Sequence, residues 1–361
     1  MLKTVQLGQN CGMHVSRLCL GTMNFGEPGR GHQGDWTLGI DDARPIFKAA
    51  IDKGLFYFDC ADVYGIGASE QVVGALLRVL LPRDQFVLAT KISGAMGRNP
   101  NQGGLSRKHV IEGVDACLRR LGVDYVDQLI IHRHPHVAAG RGETPIEETM
   151  EALHDVVKAG KALYLGASSM FAWQFAELQL TAKLHGWTPF VAMQNHYNLV
   201  YREDEREMIP YCLQSGVAIT PWSPLARGIL AGAYQGGFAG GATNRSKGRD
   251  RVRTESLYRG EALFDIAGRV KETADKYGKA PAQIALAWLL GLAPNVLLIP
   301  GTRTRVHLAE NLAASDVTLD DAALAQLPRP TVGTTGTRPD PVSGGRWPPR
   351  QRPPVRPRYD A

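Results

Sequence analysis

An aspartate, a tyrosine, a lysine and a histidine stand at Asp59, Tyr64, Lys91 and His132, each at or just past the end of a short β-type run. Together they could hand a proton to a carbonyl oxygen. A free phenol titrates near pH 10, too weak an acid for efficient transfer at neutral pH. A lysine ammonium beside Tyr64 would favour the phenolate, Asp59 would keep that ammonium charged and oriented, and His132 could hold the oxygen by a hydrogen bond. Taken singly, Asp59 could cap a turn and Lys91 could be a strand-end charge; it is their joint placement that carries the reading. A second cluster, His132-Arg133-His134-Pro135-His136, alternates histidines as one strand face of metal ligands would. Pro135 ends the strand and no carboxylate or cysteine completes the set, so no metal is expected there.

The four side chains can meet only if the runs that carry them are neighbours. Eight β-branched or aromatic runs, at residues 18–21, 56–59, 86–91, 128–132, 162–167, 191–195, 218–222 and 296–299, alternate with stretches of helical period. That beat is the signature of βαβ units. Helix starts are expected at Ser69-Glu70, at Ser106 before KHVIEGVDACLRRLG with Gly122 as the stop, and at Pro281 before AQIALAWLLG. Eight alternations favour an α/β fold of (β/α)8 TIM-barrel type over an open doubly wound sheet. The opening TVQLGQNCGMHVSRL adds an N-terminal β-hairpin about Gln9-Asn10 that could plug the barrel floor. In such a barrel the chemistry sits at the C-terminal strand ends, where Asp59, Lys91, His132, Ser168, Asn195 and Trp222 fall.

FDCADVYGIGASE, then ATK, then LIIHR resemble the catalytic pattern of the aldo-keto reductases, NAD(P)H-dependent enzymes on a (β/α)8 barrel; the resemblance runs over about residues 1–327. It implies Tyr64 as general acid, Asp59 and Lys91 as its tuning pair, and His132 as the residue that orients the substrate carbonyl. By the same resemblance, Gly21, Thr22 and Met23 of LGTMNFG lie by the nicotinamide ribose, with Asp59 close by. Ser168, Ser169 and Gln194 match carboxamide-binding positions, although many members carry Asn where Ser169 stands. In PWSPLARGIL, Trp222 would stack on the nicotinamide, and Ser223, Pro224, Leu225 and Arg227 would surround the pyrophosphate. In IPGTRTRVHLAEN, Gly301, Thr302 and Arg303 would meet the adenosine 2′-phosphate, with His307, Glu310 and Asn311 near adenine. Arg303 and Arg305 favour NADPH/NADP+ over NADH, because a guanidinium fork matches a phosphate. No GxGxxG follows a strand, consistent with a barrel replacing the usual dinucleotide fold. GASSMFAWQF and YNLVYREDEREMIPYC resemble the bacterial branch related to the potassium-channel β subunits.

The resemblance implies an NADPH-dependent oxidoreductase that reduces an aldehyde or ketone to an alcohol. Its alternative is a redox-sensing regulatory subunit of channel-β type that binds NADPH and turns over slowly. Composition is that of a soluble chain: 361 residues, 44% hydrophobic, 21% charged. The net charge of +6 suggests nucleic acid until it is located. Residues 329–361 hold seven arginines, no lysine and two aspartates, leaving 34 basic against 33 acidic residues elsewhere. Residues 1–327 are therefore read as the barrel and 328–361 as a Pro/Arg-rich disordered tail, for which an inert extension is favoured over an acidic partner or nucleic acid. Residues 232–260, rich in glycine and then arginine, read as a long mobile loop. Five scattered cysteines without a CxxC pair read as free thiols. No apolar run is long enough for a membrane span and the first residues lack a signal pattern, so the expected location is cytoplasmic, the expected partner a small carbonyl compound, with a homo-oligomer left open.

Overall fold

In the computed structural model, residues 2–31, 36–136, 144–234, 237–248, 250–259 and 262–327 are described. The tail at 328–361 lies outside them. The chain opens with β1 (Thr4–Gln6) paired antiparallel to β2 (His14–Ser16), Val5 opposite Val15. Gly8 turns at φ +78°, and a Cβ there would come 2.7 Å from the Val191 carbonyl oxygen, so only glycine fits. The Gln9 N–H donates to the Gly216 carbonyl at 2.7 Å and Asn10 Nδ2 to that of Ser215 at 2.7 Å. Leu7, Cys11 and Val15 share an apolar cluster with Tyr57, Val87, Ile130, Val191 and Leu297. The hairpin thus closes the N-terminal end of the barrel, as its pattern predicts.

Seven parallel strands pair in sequence order: β3 (Leu20–Gly21), β4 (Tyr57–Asp59), β5 (Val87–Ile92), β6 (Val126–Ile131), β7 (Ala162–Ser168), β8 (Phe190–Gln194) and β9 (Ala218–Ile219). The eighth run makes isolated parallel bridges, Val296 to Ile219 on one side and Leu298 to Leu18 and Gly301 to Gly21 on the other. Those bridges close the circle. Pro300 has no N–H to extend a ladder, which is why this stave stays discontinuous. His132 and Trp222, expected inside strands, lie one and three residues beyond β6 and β9. Both remain tied to the sheet, through His132 N–H to Ile92 O at 2.8 Å and Trp222 N–H to Asn195 O at 2.9 Å.

The helices are α1 (Ile40–Asp52), α2 (Ala68–Leu80), α3 (Arg107–Leu121), α4 (Ile146–Lys158), α5 (Ala172–His185), α6 (Met208–Ser215), α7 (Asn244–Lys247), α8 (Asp250–Leu257), α9 (Ala262–Tyr277), α10 (Pro281–Leu290), α11 (Arg305–Ala313) and α12 (Asp321–Gln326). Ser106 caps α3 by accepting from the His109 N–H at 3.3 Å, and Gly122 stops it at φ +67°. At α2 the expectation changes. Gly67, not Ser69, is the cap residue, and Ser69 and Glu70 sit buried in the first turn. Ser69 Oγ donates to the Thr22 carbonyl at 2.9 Å, while Glu70 accepts from Thr90 Oγ1 at 2.7 Å and Arg120 Nε at 2.5 Å. These polar groups bind neighbouring elements instead of capping their own helix. Among the described residues, no helix is long and apolar enough to cross a membrane, and the five cysteines are unpaired and buried.

Residues 232–260 are a second correction, because α7 and α8 form inside the expected loop. Asp250 pairs with both Arg227 and Arg245, and Tyr234, Leu257 and Tyr258 bury their rings and chain against the barrel. A low count of aliphatic residues hid this, since the segment is held by one buried charge cluster and a few aromatic anchors.

The α2–α3 packing gives a test. A Cβ on Gly74 would stand 2.0 Å from the Leu121 carbonyl oxygen. Helix propensity alone would reward Gly74→Ala by up to about 1 kcal/mol. Backbone is what obstructs it, so the variant should instead lose about 1–3 kcal/mol in urea unfolding; equal or higher stability would contradict this packing.

Candidate active site

Asp59 ends β4, Lys91 is the fifth residue of β5, and Tyr64 follows Asp59 on the same loop. β4 and β5 are adjacent, so Asp59 and Lys91 meet inside the barrel wall: Lys91 Nζ donates to Asp59 Oδ1, to the Cys60 carbonyl at 2.7 Å and to Tyr64 Oη at 3.4 Å. Gln194 Nε2 donates to the other oxygen of Asp59 at 3.0 Å. Lys91 is fully buried and Asp59 2% exposed. Burial pushes the Lys91 ammonium down, but Asp59 and then Tyr64 outweigh it, so its pKa rises and it stays charged. The phenol behaves otherwise than expected. Burial raises the Tyr64 pKa, Lys91 lowers it and Asp59 raises it again, and the net shift is upward. Tyr64 therefore keeps its proton, and Lys91 offsets only part of what burial and Asp59 together impose. The His132 ring meets that of Tyr64 edge-on, 6.0 Å between centroids at 80°.

These groups face a cavity of about 1410 Å³ at the C-terminal strand ends. Tyr64, His132 and Asp59 line it, while Lys91 stands behind them. Gly21, Thr22, Met23, Ser168, Gln194, Trp222, Ser223, Pro224, Leu225, Arg227, Gly301, Thr302, Arg303, His307, Glu310 and Asn311 line the same cavity. Ser169 does not: its hydroxyl accepts from Trp222 Nε1 at 3.0 Å and so fixes the indole from behind. Arg305 is exposed on α11, outside the lining. Sequence reasoning missed Asn24, whose Nδ2 donates to the Thr302 carbonyl at 3.0 Å and joins the first and eighth loops. Arg133, Arg245 and Arg253 also line the cavity. Arg133 closes the LIIHR motif without a role assigned to it, and Arg245 and Arg253 lie in the 232–260 segment, far in sequence from any motif. His134 is buried, perpendicular to His136 at 4.8 Å, and burial drives its pKa down to about 3. No group of three His, Cys, Asp or Glu suited to a metal occurs among the described residues.

Residues 17–329 match the Aldo/keto reductase family. The chain belongs to that family. It is 40% identical over 357 residues to versiconal hemiacetal acetate reductase of Aspergillus parasiticus, covering 92% of this chain and 97% of that one. It is 40% identical over 347 residues to a putative aryl-alcohol dehydrogenase of Schizosaccharomyces pombe, with 89% and 93% covered. An aldo-keto reductase of Alternaria alternata is 42% identical over 305 residues, with 78% and 79% covered.

A nicotinamide dinucleotide, the cofactor this family uses, fits the residues present. Ser223, Ala226, Arg227 and Gly228 all take positive φ, between 47° and 102°, so the loop winds tightly, and Ser223, Arg227 and Gly228 line the cavity wall. Arg303 Nε is buried at the cavity wall with no partner. A side chain at Gly301 would strike Asn24 Nδ2 at 2.8 Å, and one at Gly21 would touch Ile299 Cγ2 at 3.0 Å, so both glycines keep the cavity wall close to bare backbone. Two of the lining residues, Arg227 and Arg245, form one ion cluster with Asp250, and Arg245 lies over the Trp36 ring at 4.5 Å.

Asp250 is 8% exposed, and two guanidinium groups hold its carboxyl below the usual range against the opposing effect of burial. Removing that charge strands two cations. Asp250→Asn should lower the melting temperature by several degrees and speed tryptic cleavage within 245–253 at neutral pH. Because the folded pKa is depressed, this stabilisation is full above the ordinary aspartate value of about 4 and is lost as pH falls below it. Unchanged cleavage in the variant would remove Asp250 as the anchor of this segment.

Proposed function

We propose that this aldo/keto reductase reduces an aldehyde or ketone to an alcohol with NADPH, using Tyr64 as proton donor. One observation carries the reading: a buried Asp59–Lys91 pair reaches Tyr64, which stands beside His132 on the wall of a cavity large enough for a dinucleotide and a small substrate. Bound NADPH supplies a hydride to the carbonyl carbon. Tyr64 Oη gives its proton to the oxygen, where the alkoxide being formed is a far stronger base than a phenolate. Lys91, 3.4 Å away, stabilises the phenolate that remains, and Asp59 keeps Lys91 aimed at it. His132, edge-on to Tyr64, orients the carbonyl oxygen. Desolvation strengthens each of these interactions.

In this reading, Gly21, Thr22, Met23, Ser168, Gln194 and Trp222 hold the nicotinamide end, with Ser169 acting through the indole. Ser223, Pro224, Leu225 and Arg227 surround the pyrophosphate. Gly301, Thr302, Arg303, His307, Glu310 and Asn311 take the adenosine end, and the unpartnered Arg303 Nε supports a 2′-phosphate there. The names of the relatives favour aromatic aldehydes as first substrates to try. GASSMFAWQF and YNLVYREDEREMIPYC support placing the chain beside the channel-β branch, although the relatives named above are fungal. We also take residues 1–327 as the working unit, 328–361 as an appendage and the cytoplasm as the site of action.

Tyr64→Phe should bind NADPH as the parent does, yet turn over a panel of aromatic aldehydes at least about a hundredfold more slowly. Retained turnover would discard Tyr64 as donor, and a parent chain that binds NADPH without steady-state turnover would favour the redox-sensing alternative. Because burial holds the Tyr64 pKa up, its proton stays in place across neutral pH. Reduction should lose this donor only beyond the ordinary phenol value of about 10. Arg303→Ala should cost about tenfold in NADPH affinity with NADH affinity unchanged, the value of one lost charged contact; equal losses for both would remove Arg303 from 2′-phosphate recognition.

A further inference from the structure

His196 lies two residues past β8, 3% exposed, with its imidazole between two other rings. Tyr201 stacks on one face at 4.1 Å and 14°, and Trp222 on the other at 4.1 Å and 10°. The contact is made at backbone level too, since His196 and Trp222 form a parallel bridge. Tyr258 approaches the imidazole edge-on at 5.3 Å and 72°, its hydroxyl 2.6 Å from His196 Nε2. Asn198 Nδ2 donates to that hydroxyl at 3.1 Å and to the Ser223 carbonyl at 2.9 Å. The indole has little freedom left. Its Nε1–H goes to Ser169 Oγ, and the Ser169 N–H goes to Asn195 Oδ1 at 2.8 Å.

Trp222 also lines the cavity, so one side of the indole rests on His196 while another borders the space where a cofactor would lie. We propose that His196 is a positioning residue: as the middle ring of a Tyr201–His196–Trp222 column, it sets the height and plane of Trp222 and thereby the seat of the nicotinamide ring. The inference rests on the NADPH reading above.

Two features favour a positioning role over plain core packing. His196 Nδ1 is buried with no hydrogen-bond partner, a cost that an apolar residue would avoid. Burial, aided by Arg227, also drives the His196 pKa down to about 3, so the ring stays neutral. A flat, neutral ring suits this place, because a cation behind Trp222 would oppose the positive charge that the nicotinamide carries once oxidised.

The test compares His196→Leu with His196→Phe in the full chain. Phenylalanine keeps a flat ring, and Asn198 still reaches the Tyr258 hydroxyl; leucine removes the column. His196→Leu should bind NADPH about tenfold more weakly, the upper range for one aromatic stack, and slow single-turnover oxidation of NADPH by an aldehyde at least as much. His196→Phe should remain within about threefold of the parent on both. Adenosine 2′,5′-bisphosphate, which lacks the nicotinamide, should bind all three proteins alike. The proposal is overturned if His196→Leu matches the parent, if His196→Phe is equally impaired, or if the bisphosphate weakens in parallel with NADPH. A parent that fails to bind NADPH overturns the cofactor reading itself, a separate result visible before any variant is made.

Discussion

The buried contact between Lys91 and Asp59 is the constraint around which the rest of the site is arranged. An ammonium with no solvent exposure is expensive unless its charge and its N–H groups are answered. Asp59, the Cys60 carbonyl and Tyr64 Oη answer them, and Gln194 satisfies the second carboxylate oxygen from four strands away. That arrangement needs β4 and β5 adjacent and in register, and it needs β8 across the barrel to deliver Gln194. A closed barrel brings all three to one point.

Around that point, polar residues do structural work that their sequence positions do not announce. Glu70 and Ser69 look like helix-start residues, yet they tie the first turn of α2 to β5, α3 and the β3 loop. Burial pushes the Glu70 pKa up and Arg120 restrains the shift. The turn that carries Tyr64 is thus held between the Lys91 pair and this second network. Ser169 and His196 similarly serve Trp222 from behind instead of facing the cavity.

The electrostatics of Tyr64 correct a simple argument. Proximity to an ammonium suggests a strongly acidified phenol, but the same burial that makes Lys91 effective also penalises the phenolate. The result is a phenol that stays loaded with its proton. In the reduction proposed above, Tyr64 would depend on stabilisation of the phenolate as it forms, not on a low pKa in the resting protein.

Much was legible in the chain itself. Alternating β-type and helical periods, the terminal polar residues Asp59, Lys91 and His132, and the capping pair Ser106 and Gly122 are local patterns, set by backbone preference and side-chain period within a few residues. The hairpin plug belongs with them, because its alternation is equally local. Three-dimensional packing alone decided the rest. The eighth run joins the sheet through isolated bridges to its two neighbours, and α7 and α8 form just past the glycines of the 232–260 segment, where Asp250 pairs with Arg227, 23 residues upstream, and with Arg245. Whether burial or Lys91 wins at Tyr64, and which ring backs Trp222, depend on atoms brought together from separate strands. Contact chemistry of that kind has no periodicity and so leaves no trace in the order of residues.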